Sequence, residues 1–298
     1  MIEKIAQPVG LDFESQFVRR EQVETAGGTA EVLDLEPENP KEETPVFFAP
    51  GWGCNSEVYK FALKEIFDND RRTITVNHPR VGGQAPMDFR HARLSPDFPK
   101  NEVRKALTIL DVLKAEGVEK TDMIMHSESA INGIIAATLE PERFRNLVLF
   151  APSGLIGKDT FPRLLQGFFE QGKGRAESMK EFPVTEKEKW AAETALRESV
   201  KYALKNPLRA TMEAMDISET QIDEMLQALR EQGIGIVVMA TVDDPVFPME
   251  LVQKAVDTKK VDGFISLKGG HGAIGEHPER YVALALKMLD ALKAKAEK

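Results

Sequence analysis

Three stretches of this chain carry side chains suited to passing a proton between a nucleophile, a base and an acid. The first is His126-Ser127-Glu128-Ser129, directly after the apolar segment that ends at Met125. The second is Asp243-Asp244-Pro245-Val246-Phe247-Pro248, and the third is Gly269-Gly270-His271-Gly272 with Glu276-His277 just beyond. A serine hydroxyl is a weak nucleophile until an imidazole removes its proton, and the imidazole needs a carboxylate to fix its tautomer. The residue types alone leave choices open: Ser127 or Ser129, Asp243 or Asp244, His271 or His277. A serine opening a helix also has an ordinary role as an N-cap, and paired aspartates in a loop commonly form a turn. A fourth stretch, Ala49-Pro50-Gly51-Trp52-Gly53-Cys54, has glycines that permit a tight turn with an N–H pointing outward. A metal site built on His271, Glu276 and His277 fails on spacing, because no His-Glu-X-X-His pattern is present.

Each of these stretches follows a segment that reads as a strand. Pro45–Ala49, Asp122–His126, Asn146–Phe150, Ile234–Ala240 and Val261–Leu267 are short and mainly apolar, as expected of strands buried on both faces. Thr73–Val76 is another, leading to a loop with His78-Pro79 and Gly82-Gly83. Gln16–Thr25 and Thr29–Leu35, separated by Ala26-Gly27-Gly28, read as a hairpin. Helices are expected between the strands. Tyr59, Ala62, Leu63 and Ile66 recur at helical spacing. Asn101–Gly117 has one apolar face with Asn101 as a candidate cap, and the last helix groups Tyr281, Leu284, Ala285, Met288 and Leu292. Alternating strands and helices imply a mainly parallel sheet covered on both faces.

Residues 156–232 interrupt this alternation with helical patterns only. Phe161, Leu164, Leu165, Phe168 and Phe169 form one stripe, Leu196, Val200, Ala203 and Leu204 a second, and Ile222, Met225, Leu226 and Leu229 a third. Ser218-Glu219-Thr220-Gln221 reads as a capping box opening the third helix. The expected division is a core of residues 1–155 and 233–298 with a helical cap at 156–232. Phe161, Leu165, Phe168 and Phe169 are the candidates to line a pocket beneath that cap.

With the strand–turn–helix context of Ser127, the chain resembles the α/β-hydrolase family. Elbows of that family often read Gly-His-Ser-X-Gly and run into a helix ending in Pro-Glu-Arg; here His126-Ser127 and Pro141-Glu142-Arg143 take those places, with Met125 and Ser129 where glycines usually stand. The resemblance covers most of residues 15–154 and 233–298. It implies the α/β-hydrolase fold with an inserted helical cap, and it selects Ser127 as nucleophile. Asp243-Asp244-Pro245-Val246-Phe247-Pro248 resembles the family's acid loop, which selects Asp244, and Lys268–Gly272 resembles its Gly-His loop, which selects His271 as base. Ala49–Gly53 occupies the place of the family's oxyanion loop, with Pro50 replacing a histidine, so the backbone N–H groups of Trp52 and Glu128 are the implied oxyanion donors. His126 is read as packing beneath the elbow, Cys54 as a small buried side chain, and His78 as a lesser candidate for the pocket.

The implied activity is hydrolysis of an ester or related acyl bond in a small to medium, partly apolar substrate. A non-catalytic ligand binder, or a C–C hydrolase, thioesterase or acyltransferase, is the alternative. No cofactor is implied. The 298 residues carry 39 Lys and Arg against 48 Asp and Glu, and a net charge of −9 disfavours a nucleic-acid partner. One cysteine rules out an internal disulfide framework. No apolar leader-like run stands in residues 1–14 and no apolar run of about 18 residues occurs, so a cytoplasmic protein with no membrane partner is expected.

Overall fold

The computed structural model describes residues 17–79, 98–181, 185–256 and 260–297, with side chains left out of account at 177–181. Gln16 of the expected hairpin and Gly82-Gly83 of the expected loop lie outside the described residues. Eight strands form one sheet in the order β1-β2-β4-β3-β5-β6-β7-β8: β1 (Val18–Thr25), β2 (Gly28–Leu35), β3 (Glu42–Ala49), β4 (Arg71–Asn77), β5 (Thr121–His126), β6 (Phe144–Phe150), β7 (Gly235–Thr241) and β8 (Gly263–Leu267). The β1–β2 hairpin pairs antiparallel to β4, and every other pairing is parallel. This is the expected α/β-hydrolase architecture of a mostly parallel sheet.

Successive side chains of a strand point to opposite faces, so each central strand feeds two cores. Phe47, Met123, Met125, Leu147 and Leu149 face one side, where α2 (Lys100–Ala115), α3 (Ser129–Leu139), α7 (Asp223–Glu231) and α8 (Met249–Val256) pack. Phe48, Ile124, Val148, Phe150 and Met239 face the other, against α1 (Lys60–Asp68) and α10 (Pro278–Ala296). At the lower end of the central strands the fully buried Asp122 is held by Arg71 at 2.9 Å and Arg145 at 2.9 Å.

Between β6 and β7 run α4 (Phe161–Glu181), α5 (Glu186–Lys205), α6 (Pro207–Glu219) and α7. A short helix, α9 (Ala273–Glu276), follows β8 and touches α5. Two expected caps are placed elsewhere. Pro99, not Asn101, precedes α2, and the Asn101 amide instead donates to Asp216 of α6 at 2.8 Å. The Ser218 and Thr220 hydroxyls donate back to the Met215 and Asp216 carbonyls, so α7 opens at Ile222 without them. The capping box is Thr185 with Glu188, which opens α5. The third stripe is buried against α3 and β7, whereas Leu196, Val200 and Leu204 of the second are exposed.

Candidate active site

Ser127 stands where β5 stops and α3 has yet to start, at φ 59°. A non-glycine residue reaches this left-handed region only when its surroundings enforce it. They do so here from several sides. The Ser127 N–H donates to the Phe150 carbonyl at 3.1 Å, and its carbonyl accepts the Ser153 N–H at 3.2 Å and the Ser153 hydroxyl at 3.0 Å. Ser129 is occupied with structure: its hydroxyl accepts the His126 N–H at 2.8 Å and donates to the Ala49 carbonyl at 2.8 Å. Met125, in place of a small residue, is accommodated across the sheet–helix contact by Gly133 of α3, where a Cβ would sit 2.3 Å from the Met125 sulfur. Gly51 also packs tightly against the elbow; a Cβ there would lie 3.2 Å from Ser127 Cβ.

The loop after β7 delivers Asp244, and the loop after β8 delivers His271. Asp244 Oδ1 accepts the backbone N–H groups of Val246 at 2.8 Å and Phe247 at 3.1 Å, which leaves Oδ2 to face the imidazole. His271 Nδ1 lies 2.8 Å from Asp244 Oδ2, and His271 Nε2 lies 2.9 Å from Ser127 Oγ. A carboxylate only accepts, so the His271 proton belongs on Nδ1 and Nε2 is free to accept from the serine hydroxyl. All three side chains are buried. Asp243 turns away from this line and instead braces the loop that carries His271, accepting the Gly269 N–H at 3.1 Å on Oδ2.

His126, read from the sequence as packing beneath the elbow, and Gln171 hold the loop that carries His271. His126 Nε2 lies 2.9 Å from the His271 carbonyl, which can only accept, so His126 carries its proton on Nε2. Its Nδ1 then accepts the Tyr59 hydroxyl proton at 2.6 Å, and the Tyr59 oxygen accepts the Gly51 N–H at 3.2 Å. Burial, with His271 alongside, holds the His126 pKa down to about 3, so this ring stays neutral. The second is Gln171 of α4, whose Oε1 accepts the His271 N–H at 3.2 Å. In sequence Tyr59 reads as one residue of an apolar helix face, and Gln171 carries no signal.

Neither the Trp52 N–H nor the Glu128 N–H has a hydrogen-bond partner among the described residues. The Glu128 side chain points away into a buried charge cluster. Lys105 Nζ donates to Glu128 at 2.5 Å and lies 3.2 Å from Glu213, which also accepts from Tyr202 at 2.5 Å and Arg209 at 3.0 Å. Burial and the neighbouring Glu128 push Glu102 well above the usual carboxylate range. Burial opposes the Lys105 charge, yet Glu128, Glu213 and Glu102 together hold its pKa above the ordinary value. The cluster thereby ties α2, the elbow, α5 and α6 together.

Above Ser127 and His271 opens a cavity of about 380 Å³. Trp52 and Phe168 flank Ser127 and His271, with Phe168 6.0 Å from the His271 ring and 5.9 Å from the Trp52 ring between centroids. Ala191, Ala192, Ala195 and Leu196 of α5 form an apolar wall, and Gln171 and Arg175 a polar one, with Arg175 paired to Glu276 at 2.6 Å. Of the four side chains expected to line a pocket, Phe168 does. Phe161 and Leu165 are half-buried outside the lining, and Phe169 is 76% exposed. Cys54 is half-buried at the cavity wall, and His78 lies outside the lining with both ring nitrogens buried and unpartnered among the described residues. His277 stands at the start of α10, 3.1 Å from Glu188. Among the described residues no group of three or more His, Cys, Asp or Glu is placed to hold a metal ion.

By sequence, no family model and no curated protein matches this chain. By structure it is similar to a serine hydrolase involved in carbazole degradation, the CarC enzyme, at 21% identity and TM-score 0.62 over 92% of this chain and 99% of that one. A thermophilic esterase from Thermogutta terrifontis is similar at 17% identity and TM-score 0.62, with 92% and 99% covered. The carboxylesterase CesB from Bacillus subtilis is similar at 14% identity and TM-score 0.60, with 91% of each chain covered. The chain has the α/β-hydrolase fold. Within an α/β-hydrolase fold, an open parallel sheet gathers ligands at the carboxyl ends of its strands, and Ser127, Asp244 and His271 all stand at those ends, after β5, β7 and β8.

Proposed function

We propose that this protein is a serine hydrolase that cleaves an ester or related acyl bond of a small to medium, partly apolar substrate. The observation that carries the reading is the continuous line from Ser127 Oγ through His271 to Asp244, buried at the floor of a cavity. Ser127 Oγ attacks the acyl carbon while His271 Nε2 takes its proton, and Asp244 stabilises the resulting imidazolium. The carbonyl oxygen becomes an oxyanion received by the N–H groups of Trp52 and Glu128, each such donor contributing about 3 kcal/mol to the transition state. When the tetrahedral intermediate collapses, the bond to the leaving group breaks and His271 returns the proton to it. Water, deprotonated by the same imidazole, then releases the acyl group from Ser127. Residues 156–232 serve as the cap, with α4 and α5 roofing the cavity and α7 rooted in the core layer.

The apolar wall of α5 and the ring of Phe168 favour an aliphatic or aromatic acyl group over a charged one. The test is hydrolysis of p-nitrophenyl butyrate by the wild-type chain and by Ser127→Ala. The wild type turns it over. The variant folds with an unchanged circular dichroism spectrum and loses turnover; full activity in Ser127→Ala, or none in the wild type on any acyl ester, contradicts the reading.

A further inference from the structure

We infer that the outer face of α5 and α6 is a docking surface for an anionic lipid bilayer. Ten large apolar side chains are exposed among the described residues, and six of them lie on these two consecutive helices: Leu196, Val200, Leu204, Leu208, Met212 and Met215. Leu196, Val200 and Leu204 are spaced four apart, so they form a single stripe along α5, and Leu208, Met212 and Met215 are exposed on the next helix, α6. The inward faces are already filled by Ala191, Ala192 and Tyr202 on α5 and by Ala210, Ala214 and Ile217 on α6. An exposed apolar face of this extent is uncommon on a monomeric soluble protein and marks a contact surface.

Charge selects the occupant. Along the α5 groove that holds Leu196, Val200 and Leu204 the exposed charged side chains are Arg197, Lys201 and Lys205 against Glu193, with buried Glu198 3.7 Å from Arg197 and 3.5 Å from Lys201. Three exposed cations to one exposed carboxylate along an apolar groove is a local excess of positive charge on a chain of net charge −9. An anionic bilayer supplies both a negative surface for Arg197, Lys201 and Lys205 and an apolar layer for the leucines. Leu196 belongs both to this stripe and to the cavity wall, so the docked face borders the cavity mouth. No described helix is long and apolar enough to cross a membrane, which leaves attachment at the surface.

The test is co-sedimentation of the full chain with vesicles of phosphatidylcholine alone and of equal parts phosphatidylcholine and phosphatidylglycerol. Binding is expected to the mixed vesicles, to weaken as salt is raised, and to be slight on phosphatidylcholine. Lys201→Gln with Lys205→Gln should weaken it by about fivefold per cation removed, and Leu204→Glu with Leu208→Glu should abolish it. Both variants lie outside the cavity and should keep the wild-type rate on a short soluble ester. The inference is overturned if the wild type ignores anionic vesicles, if it binds both compositions equally, or if both variants bind like wild type. A dimer seen by light scattering and dissolved by Leu204→Glu with Leu208→Glu would also overturn it, assigning the face to a second copy. Vesicle binding is read without any turnover, so a chain that docks and hydrolyses no ester refutes the proposed chemistry alone.

Discussion

At Ser127 the φ of 59° leaves the hydroxyl facing His271 Nε2, while two residues on, Ser129 spends its hydroxyl on the Ala49 carbonyl and the His126 N–H. Ser129→Ala should therefore lower stability by about 1–3 kcal/mol, the cost of unpairing buried polar groups, and retain most turnover; urea unfolding and ester kinetics on the same variant check both halves. Asp244 and Asp243 differ in the same way. Asp244→Asn should lower kcat by about four orders of magnitude, since the imidazole loses the carboxylate that sets its tautomer. Asp243→Asn touches only the Gly269 N–H and should cost less than tenfold. Equal losses in the two variants would contradict the assignment of the acid. Ser127, Asp244 and His271 were legible because each stands in the turn or loop that leaves a strand, where a local pattern of turn residues reveals it. Tyr59 and Gln171 were not, since their partners lie 67 and 100 residues away and only the folded chain brings them together. Met125 stood out as a departure in the sequence; its compensation by Gly133 is equally a matter of packing across two elements.

Helical spacing shows which side chains share a face and leaves open which way the face points. The first stripe illustrates this: Leu164 is buried in the core, Phe168 reaches the cavity and Phe169 looks outward. Phe168→Ala should shift preference among acyl-chain lengths by about 1–3 kcal/mol, whereas Phe169→Ala should leave both profile and stability within about 0.5 kcal/mol; kcat/KM across a series of p-nitrophenyl esters separates them, and identical profiles for the two variants would remove Phe168 from the pocket. The strands were readable to within about three residues because the central runs, buried on both faces, are continuous in sequence. The caps of α2 and α7 were not, because Asn101, Ser218 and Thr220 found other partners in the folded chain. Between elements, Lys105 of α2 holds Glu128 and Glu213. Lys105→Met would bury those carboxylates without their cation and should destabilise the protein by about 3–5 kcal/mol, measured by urea denaturation.

Across the molecule, two neutral histidines make stability depend on pH. Burial lowers the pKa of both His78 and His126 from 6.5 to about 3. Between those values the unfolded chain binds protons that the folded chain refuses, so their contribution is complete above about pH 6.5 and is lost as pH falls toward 3. Each contributes a slope of about 1.4 kcal/mol per pH unit in that window. His78→Leu, outside the cavity lining, should flatten the measured stability–pH curve by that amount, and an unchanged slope would mean His78 is protonated in the folded state. The fold itself can carry a hydrolase or a protein that only holds its ligand, and the whole architecture, from the sheet that aims three loops at one point to the helices that roof it, matters here only if Ser127 reacts. The direct measurement is incubation of the intact chain with a fluorophosphonate, followed by intact mass and peptide mapping. One adduct per chain, on Ser127 and absent in Ser127→Ala, is the result expected; an unlabelled chain, or an adduct on any other residue, would contradict a serine nucleophile at this elbow.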